Sequence, residues 1–151
     1  MPINAELVSS CLAPISPDAP AGADLRYDTR LDAIKEARRE ENLPGAERKV
    51  ADWNSVVTQC STLLQKETKD LQLAAWLSEA LMRRQGFGGL HTGVAITRGL
   101  IEQFWDTLFP LPEDGDLELR VGPLEWMGNK PALPVRLTPV LGRFSAAELE
   151  S

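Results

Sequence analysis

Apolar residues recur at helical spacing through the middle of the chain. Trp53, Val56, Val57, Cys60, Leu63 and Leu64 follow an i, i+3, i+4 pattern. Asn54, Ser55, Thr58, Gln59, Ser61 and Gln65 fill the opposite face. The spacing predicts a one-sided amphipathic helix from about Asp52 to Thr68, with Asp52 as its N-cap. The next stretch, "DLQLAAWLSEALMRRQGFGGL" from Asp70 to Leu90, is apolar on two sides. Leu73, Trp76, Leu77 and Ala80 make one stripe, and Leu71, Ala74, Ala75, Leu81 and Met82 make a second. A helix of that kind packs between two neighbours, so it reads as a central strut. Asp70 suits its N-cap, and Gly86 suits a left-handed stop with Phe87 packing back. Arg83 and Arg84 in the last turn favour the negative end of the dipole.

The flanking patterns are weaker. A fourth helical stretch spans about Leu90 to Phe109, with Leu90, Val94, Ile101, Phe104, Trp105 and Leu108 in its stripe. Pro110 and Pro112 stop it. Gly93 and Gly99 within it read as points of close helix approach. A fifth helix is predicted from about Asp116 to Met127, kinked at Gly122–Pro123, with Leu117, Val121, Leu124 and Trp126 as its apolar contacts. Upstream, a helix starts near Asp28 or Thr29, where Thr29 and Asp32 have the form of a capping box. Leu31 and Ile34 form its narrow stripe, and "KEARREEN" reads as a solvated charged face. Pro44 and Gly45 end it, and the segment to Asp52 is a loop.

Residues 1–26 read as an extended arm, because Pro14, Pro17 and Pro20 recur every third position. Ile15, Leu25 and Tyr27 give that arm apolar surface to dock on the domain. Residues 27–130 form the helical domain. Residues 131–151 are a C-terminal extension or the start of a linker, and "SAAELES" resembles the start of a further helix in a longer protein. No alternating run with turn signals is present, so the fold class is all-α: an antiparallel bundle of about five to six helices. No 34-residue repeat accompanies the similar helix lengths.

Composition narrows the function classes. With 43% hydrophobic and 25% charged residues, the chain has the make-up of a soluble globular protein. The net charge of -6 argues against a nucleic-acid backbone and against an anionic membrane surface. No uncharged run is long enough to span a bilayer, and the N-terminus has no secretory-signal pattern, so no membrane insertion is expected. Cys11 and Cys60 suggest no disulfide scaffold, and Cys60 lies on the apolar stripe. A free buried thiol and a reducing cytoplasm fit.

Candidate chemistry is sparse. His91 is the single histidine, placed in a Gly88–Gly93 loop without companion ligands or a nucleophile. "GFGG" follows a helix rather than a strand, so it is a helix–helix turn and not a phosphate loop. Asp114, Asp116, Glu118 and Glu125 partly imitate a calcium loop, but Leu119 stands where that loop needs glycine. Acids at a helix N-terminus explain them better. Glu40 and Glu41 read as solvated. Trp53, Trp76, Trp105 and Trp126 fall one per helix and read as core rather than as a ligand pocket. No catalytic, cofactor-binding or metal-ligating residue is predicted.

Three stretches together resemble a known family. They are "PISPDAPAGADLRYD", "KDLQLAAWLSEALMRRQGFGGLHTGV" and "FWDTLFPLPEDGDLELRVGPLEWM". The chain resembles the N-terminal domain of ImpA/TssA proteins of the bacterial type VI secretion system over about residues 14 to 128. The resemblance implies a non-enzymatic protein-interaction domain without cofactors. Its implied partners are baseplate, sheath or tube proteins, in the cytoplasm of a Gram-negative bacterium. It implies a monomer or weak dimer for this domain, with rings built by regions this chain lacks. Gly22, Asp24, Tyr27, Trp76, Gly86, Gly89, Trp105, Asp116, Arg120 and Trp126 match the family and read as fold determinants. The alternative is a helical peptide- or small-molecule-binding adaptor unrelated to secretion.

Overall fold

A computed structural model describes residues 3–45 and 47–129. Five helices lie among them: α1 Ala5–Leu12, α2 Thr29–Arg38, α3 Trp53–Lys66, α4 Leu71–Phe104 and α5 Glu118–Asn129. The described residues form only isolated β-bridges beside these helices. The architecture is all-α. The expected helix starting in "SAAELES" lies outside the described residues.

The strong periodic signals become helices where the spacing places them. Asp52 caps α3, its carboxylate accepting from Ser55 N at 3.0 Å. Val56, Cys60 and Leu64 on its apolar face are fully buried. Asp70 caps α4, and residues 73–82 are all buried. The strut prediction therefore holds, and α3 and α1 pack on α4. Asp28 rather than Thr29 caps α2, because its carboxylate accepts from Arg30 N at 2.9 Å.

Gly86 departs from its expected role. It has φ 64° and ψ -139°, outside the left-handed helical region. Helix resumes at once, so no Gly88–Gly93 loop exists and His91 is helical and exposed. The chain nonetheless reverses at Gly86, which only glycine adopts without strain. Gly93 then lies against Ser78, where an added Cβ would stand 2.6 Å from the Ser78 Cα. α4 is thus a helical hairpin. Its two ends are tied by Phe109 N donating to Lys69 O and Leu71 N donating to Phe109 O, both at 2.9 Å.

Three other expectations change. Residues 5–12 are helical rather than extended, capped by Asn4, which accepts from Leu7 N at 3.0 Å. Leu7, Val8 and Leu12 pack on the core and Cys11 is fully buried. Tyr27 does not dock, being 91% exposed. Beyond α1, Ala21 is buried and its carbonyl accepts from Lys69 N at 2.7 Å. At α5, Leu117 just before the helix and Val121 within it are exposed, while Arg120 and Pro123 are its buried residues. Arg120 holds that rotation by donating to the Leu108 and Pro110 carbonyls, and Asp116 accepts from Glu118 N at 2.8 Å in the preceding turn.

Candidate functional site

Two of the clefts on the described surface lie against α5. The first, of about 420 Å³, lies where the start of α4 meets α2 and α5. Leu31 and Lys35 of α2, Asp70, Gln72 and Trp76 of α4, and Glu118, Leu119 and Pro123 of α5 line it. Asp24, Arg26 and Pro110 close its rim. The second, of about 390 Å³, runs between α5 and the second arm of α4. Val94, Ile101, Leu124 and Met127 make it mainly apolar, and Arg98 and Glu102 edge it. Arg98 and Glu102 pair with each other at 2.7 Å.

Asp70 is the buried charge of the first cleft. It is only 7% exposed. Its Oδ1 accepts from Gln72 N at 2.7 Å and Leu73 N at 3.4 Å. Burial pushes its carboxyl up to about 6 against those two stabilising amides. Trp76, 6% exposed, forms an adjoining wall. Behind it, Arg38 donates to Glu79 at 3.0 Å and its guanidinium stands 5.8 Å from the Trp76 ring and 5.1 Å from the Trp126 ring. The cleft wall is therefore braced by an ion pair and two indole faces.

Two further cations are buried, and periodicity alone did not flag them. Lys69 is fully buried and donates to Cys11 O at 2.7 Å and to Leu64 O, with its ammonium 5.7 Å from the Phe104 ring. Desolvation pushes its amine down to about 8. Arg120, 2% exposed, donates to Leu108 O at 2.6 Å and Pro110 O at 2.9 Å. Its guanidinium stacks 4.5 Å from the Trp105 ring. Each cation satisfies carbonyls at the end of a helix or just past it, where the chain has no amide to offer. The family pattern marked Arg120; nothing in the spacing marked Lys69.

The tryptophans divide. Trp76 is core and cleft wall at once, and Trp53 and Trp126 pack against the core from its edge. Trp105 is not core: it is 41% exposed, because α4 ends at Phe104 and turns the indole onto Arg120. Trp53, Trp105 and Trp126 line neither cleft.

The residues with reactive potential are kept apart. Burial raises both the Cys11 and the Cys60 thiols, which keeps them from the nucleophilic thiolate form. His91 is exposed on α4. Asp114 and Gly115 adopt positive φ in the turn before α5, and Asp116 serves as a helix cap. Among the described residues no group of three or more His, Cys, Asp or Glu could hold a metal ion. No helix among them is long and apolar enough to cross a membrane.

Comparison with known proteins agrees with this geometry. Residues 12–129 match the family model described as ImpA, N-terminal, type VI secretion system. The type VI secretion system component TssA1 of Pseudomonas aeruginosa is 32% identical over 130 residues, covering 81% of this chain and 38% of that protein. A solved N-terminal domain including the conserved ImpA_N region of the TssA component from Burkholderia cenocepacia matches with a TM-score of 0.81 and 42% identity. That match covers 99% of this chain and 58% of the other, so this chain spans less than two thirds of either relative. Motifs, helical architecture and overall likeness converge: the chain belongs to the ImpA N-terminal family of the type VI secretion system.

Proposed function

We propose that this chain is a non-enzymatic protein-interaction domain of a TssA-like component. Its role is to help assemble the baseplate and the contractile tail tube and sheath, in the cytoplasm at the secretion apparatus. Family membership over residues 12–129 is the observation that carries this reading. The described surface supports it. Trp105, Leu111, Leu117 and Val121 leave large apolar side chains exposed around the α4–α5 corner, and exposed apolar groups of this kind mark partner surfaces. Two buried thiols and a solvated histidine favour binding over catalysis.

The test is crosslinking mass spectrometry of the full-length protein in its assembled secretion complex. Crosslinks from residues 12–129 to baseplate, sheath or tube proteins are expected. A parallel pull-down should recover the same proteins. Recovery no better than a control with a scrambled surface would reject the reading.

A further inference from the structure

We propose that the cleft at the start of α4 receives a lysine or arginine side chain from a partner segment, with Asp70 as its counter-ion. The proposal deepens the interaction reading above and rests on it. Three observations converge on the cleft. Asp70 is more than nine-tenths buried, yet it lines the opening. One oxygen, Oδ1, takes both capping amides. Among the described residues the other accepts no hydrogen bond, and no lysine or arginine pairs with Asp70.

The charges around it point the same way. Asp24 and Glu118 share the cleft with Asp70. The cations present are engaged elsewhere: Arg26 with Glu113 at 3.2 Å, and Lys35 with Asp32 at 3.8 Å. A buried carboxylate without a paired cation carries a desolvation cost. The amides of α4 offset part of it at one oxygen only. Burial accordingly holds the Asp70 carboxyl near 6, so it is mostly ionised at neutral pH, with Arg26, itself paired to Glu113, offsetting its charge only in small part. A partner's cation would supply the missing charge.

The walls suit the rest of such a side chain. Trp76, Leu119 and Pro123 offer apolar surface beside the carboxylate. Lysine and arginine bury their methylene stems against surfaces of this kind while the charged head meets a polar group. A volume of about 420 Å³ accommodates a long side chain with an apolar neighbour, within the range of small binding pockets. The net charge of -6 also steers a basic segment towards the chain. The occupant is therefore an exposed segment of a secretion component carrying a basic residue flanked by apolar ones.

The test uses the capped peptides acetyl-Leu-Arg-Leu-amide and acetyl-Leu-Gln-Leu-amide, titrated into the nitrogen-15-labelled chain and followed by NMR. The arginine peptide is expected to shift the Gln72 and Leu73 amides and the Trp76 indole along a saturating curve. The glutamine peptide should bind at least tenfold more weakly. Asp70→Asn should weaken the arginine peptide at least tenfold, and asparagine keeps the cap, so the fold survives. Equal response to the two peptides, an unchanged response in D70N, or no saturating shift at these three groups overturns the proposal. Sedimentation of the chain separates one other occupant. Self-association lost in D70N would assign the cleft to a second copy and reject the partner segment. In the full-length complex, D70N crosslinking like wild type rejects the cleft but leaves the interaction reading standing. Loss of every crosslink in wild type rejects that broader reading, and the peptide titration then judges the cleft alone.

Discussion

Arg38 reaches Glu79 across 3.0 Å, and the pair joins α2 to the strut. The Glu79 side chain is 5% exposed and that of Arg38 is 22% exposed. The guanidinium also faces Trp76 and Trp126, so one side chain touches α2, α4 and α5 together. Its Nε has no hydrogen-bond partner among the described residues, so pairing with Glu79 carries most of its satisfaction.

Removing Arg38 should therefore be severe. Arg38→Met leaves Glu79 buried without its cation, which costs roughly 3–5 kcal/mol. Glu79→Leu strands the guanidinium and should cost a similar amount. The double variant should lose less than the sum, because neither charge is then left alone. Urea denaturation of the four proteins measures the coupling. Strict additivity would show that the pair contributes nothing.

The hairpin makes a second, steric expectation. At Gly93 a methyl group would meet the Ser78 Oγ at 2.4 Å. The Ser78 Cα also stands within 2.6 Å of it, and at Gly89 the backbone carbonyl oxygen of Leu81 stands closer still, at 2.0 Å. Gly93→Ala should cost about 1–3 kcal/mol, and Gly89→Ala should cost more. At Gly128 a methyl group would meet nothing within 4 Å among the described residues. Gly128→Ala should be neutral or should stabilise by up to about 1 kcal/mol, since alanine favours helix. Thermal melts of the three variants rank them. Equal melting temperatures would mean that the two arms of α4 are not in close contact.

Trp76→Ala tests the strut itself. Trp76 is 6% exposed, belongs to the core cluster and lines the cleft. Its truncation should cost roughly 3–5 kcal/mol. Equilibrium denaturation showing a loss below about 1 kcal/mol would place the centre of the fold elsewhere.

The legible parts of this fold are those where one residue's neighbours in sequence decide its surroundings. The stripe from Trp53 to Leu64 and the double stripe from Leu71 to Met82 read directly, because helical periodicity is local. So did Gly93 and Gly99, which approach Ser78 and Leu12 closely. α1 was hidden, since its apolar residues span only about two turns and three prolines follow them. The rotation of α5 was hidden too. It depends on Arg120 finding the carbonyls of Leu108 and Pro110, and no spacing encodes that. The cleft was the least legible feature. Asp70 reads from sequence as a cap, which it is, but its burial comes from α2 and α5 closing over it. The motifs shared with the family marked Trp76 and Arg120 as fold determinants without marking the space between α4 and α5.

Lys69 and Asp70 are adjacent, both buried, and shifted in opposite directions, which gives the stability of the chain a defined pH profile. Burial raises the Asp70 carboxyl from an ordinary 3.8 to about 6. The folded state therefore holds a proton that the unfolded chain releases between those values. Unfolding then releases that proton, so stability falls as pH rises from about 4 to about 6. The full drop is on the order of 3 kcal/mol, and it persists above pH 6. Burial lowers the Lys69 amine from 10.5 to about 8. Between those values the unfolded chain binds the extra proton, so stability rises with pH over that window. That rise should be of the same order as the fall, because the two shifts are of similar size. Urea denaturation at pH steps from 4 to 9 should trace a fall, a plateau and a rise, and above about pH 9 the raised Cys11 and Cys60 thiols oppose that rise. Asp70→Asn should remove the fall and raise stability at pH 7, since it deletes a largely uncompensated buried charge and keeps the cap. Lys69→Met should remove the rise while orphaning two carbonyls, and so lower stability near pH 10. A flat profile for the wild-type chain would mean that water reaches both groups in the folded state.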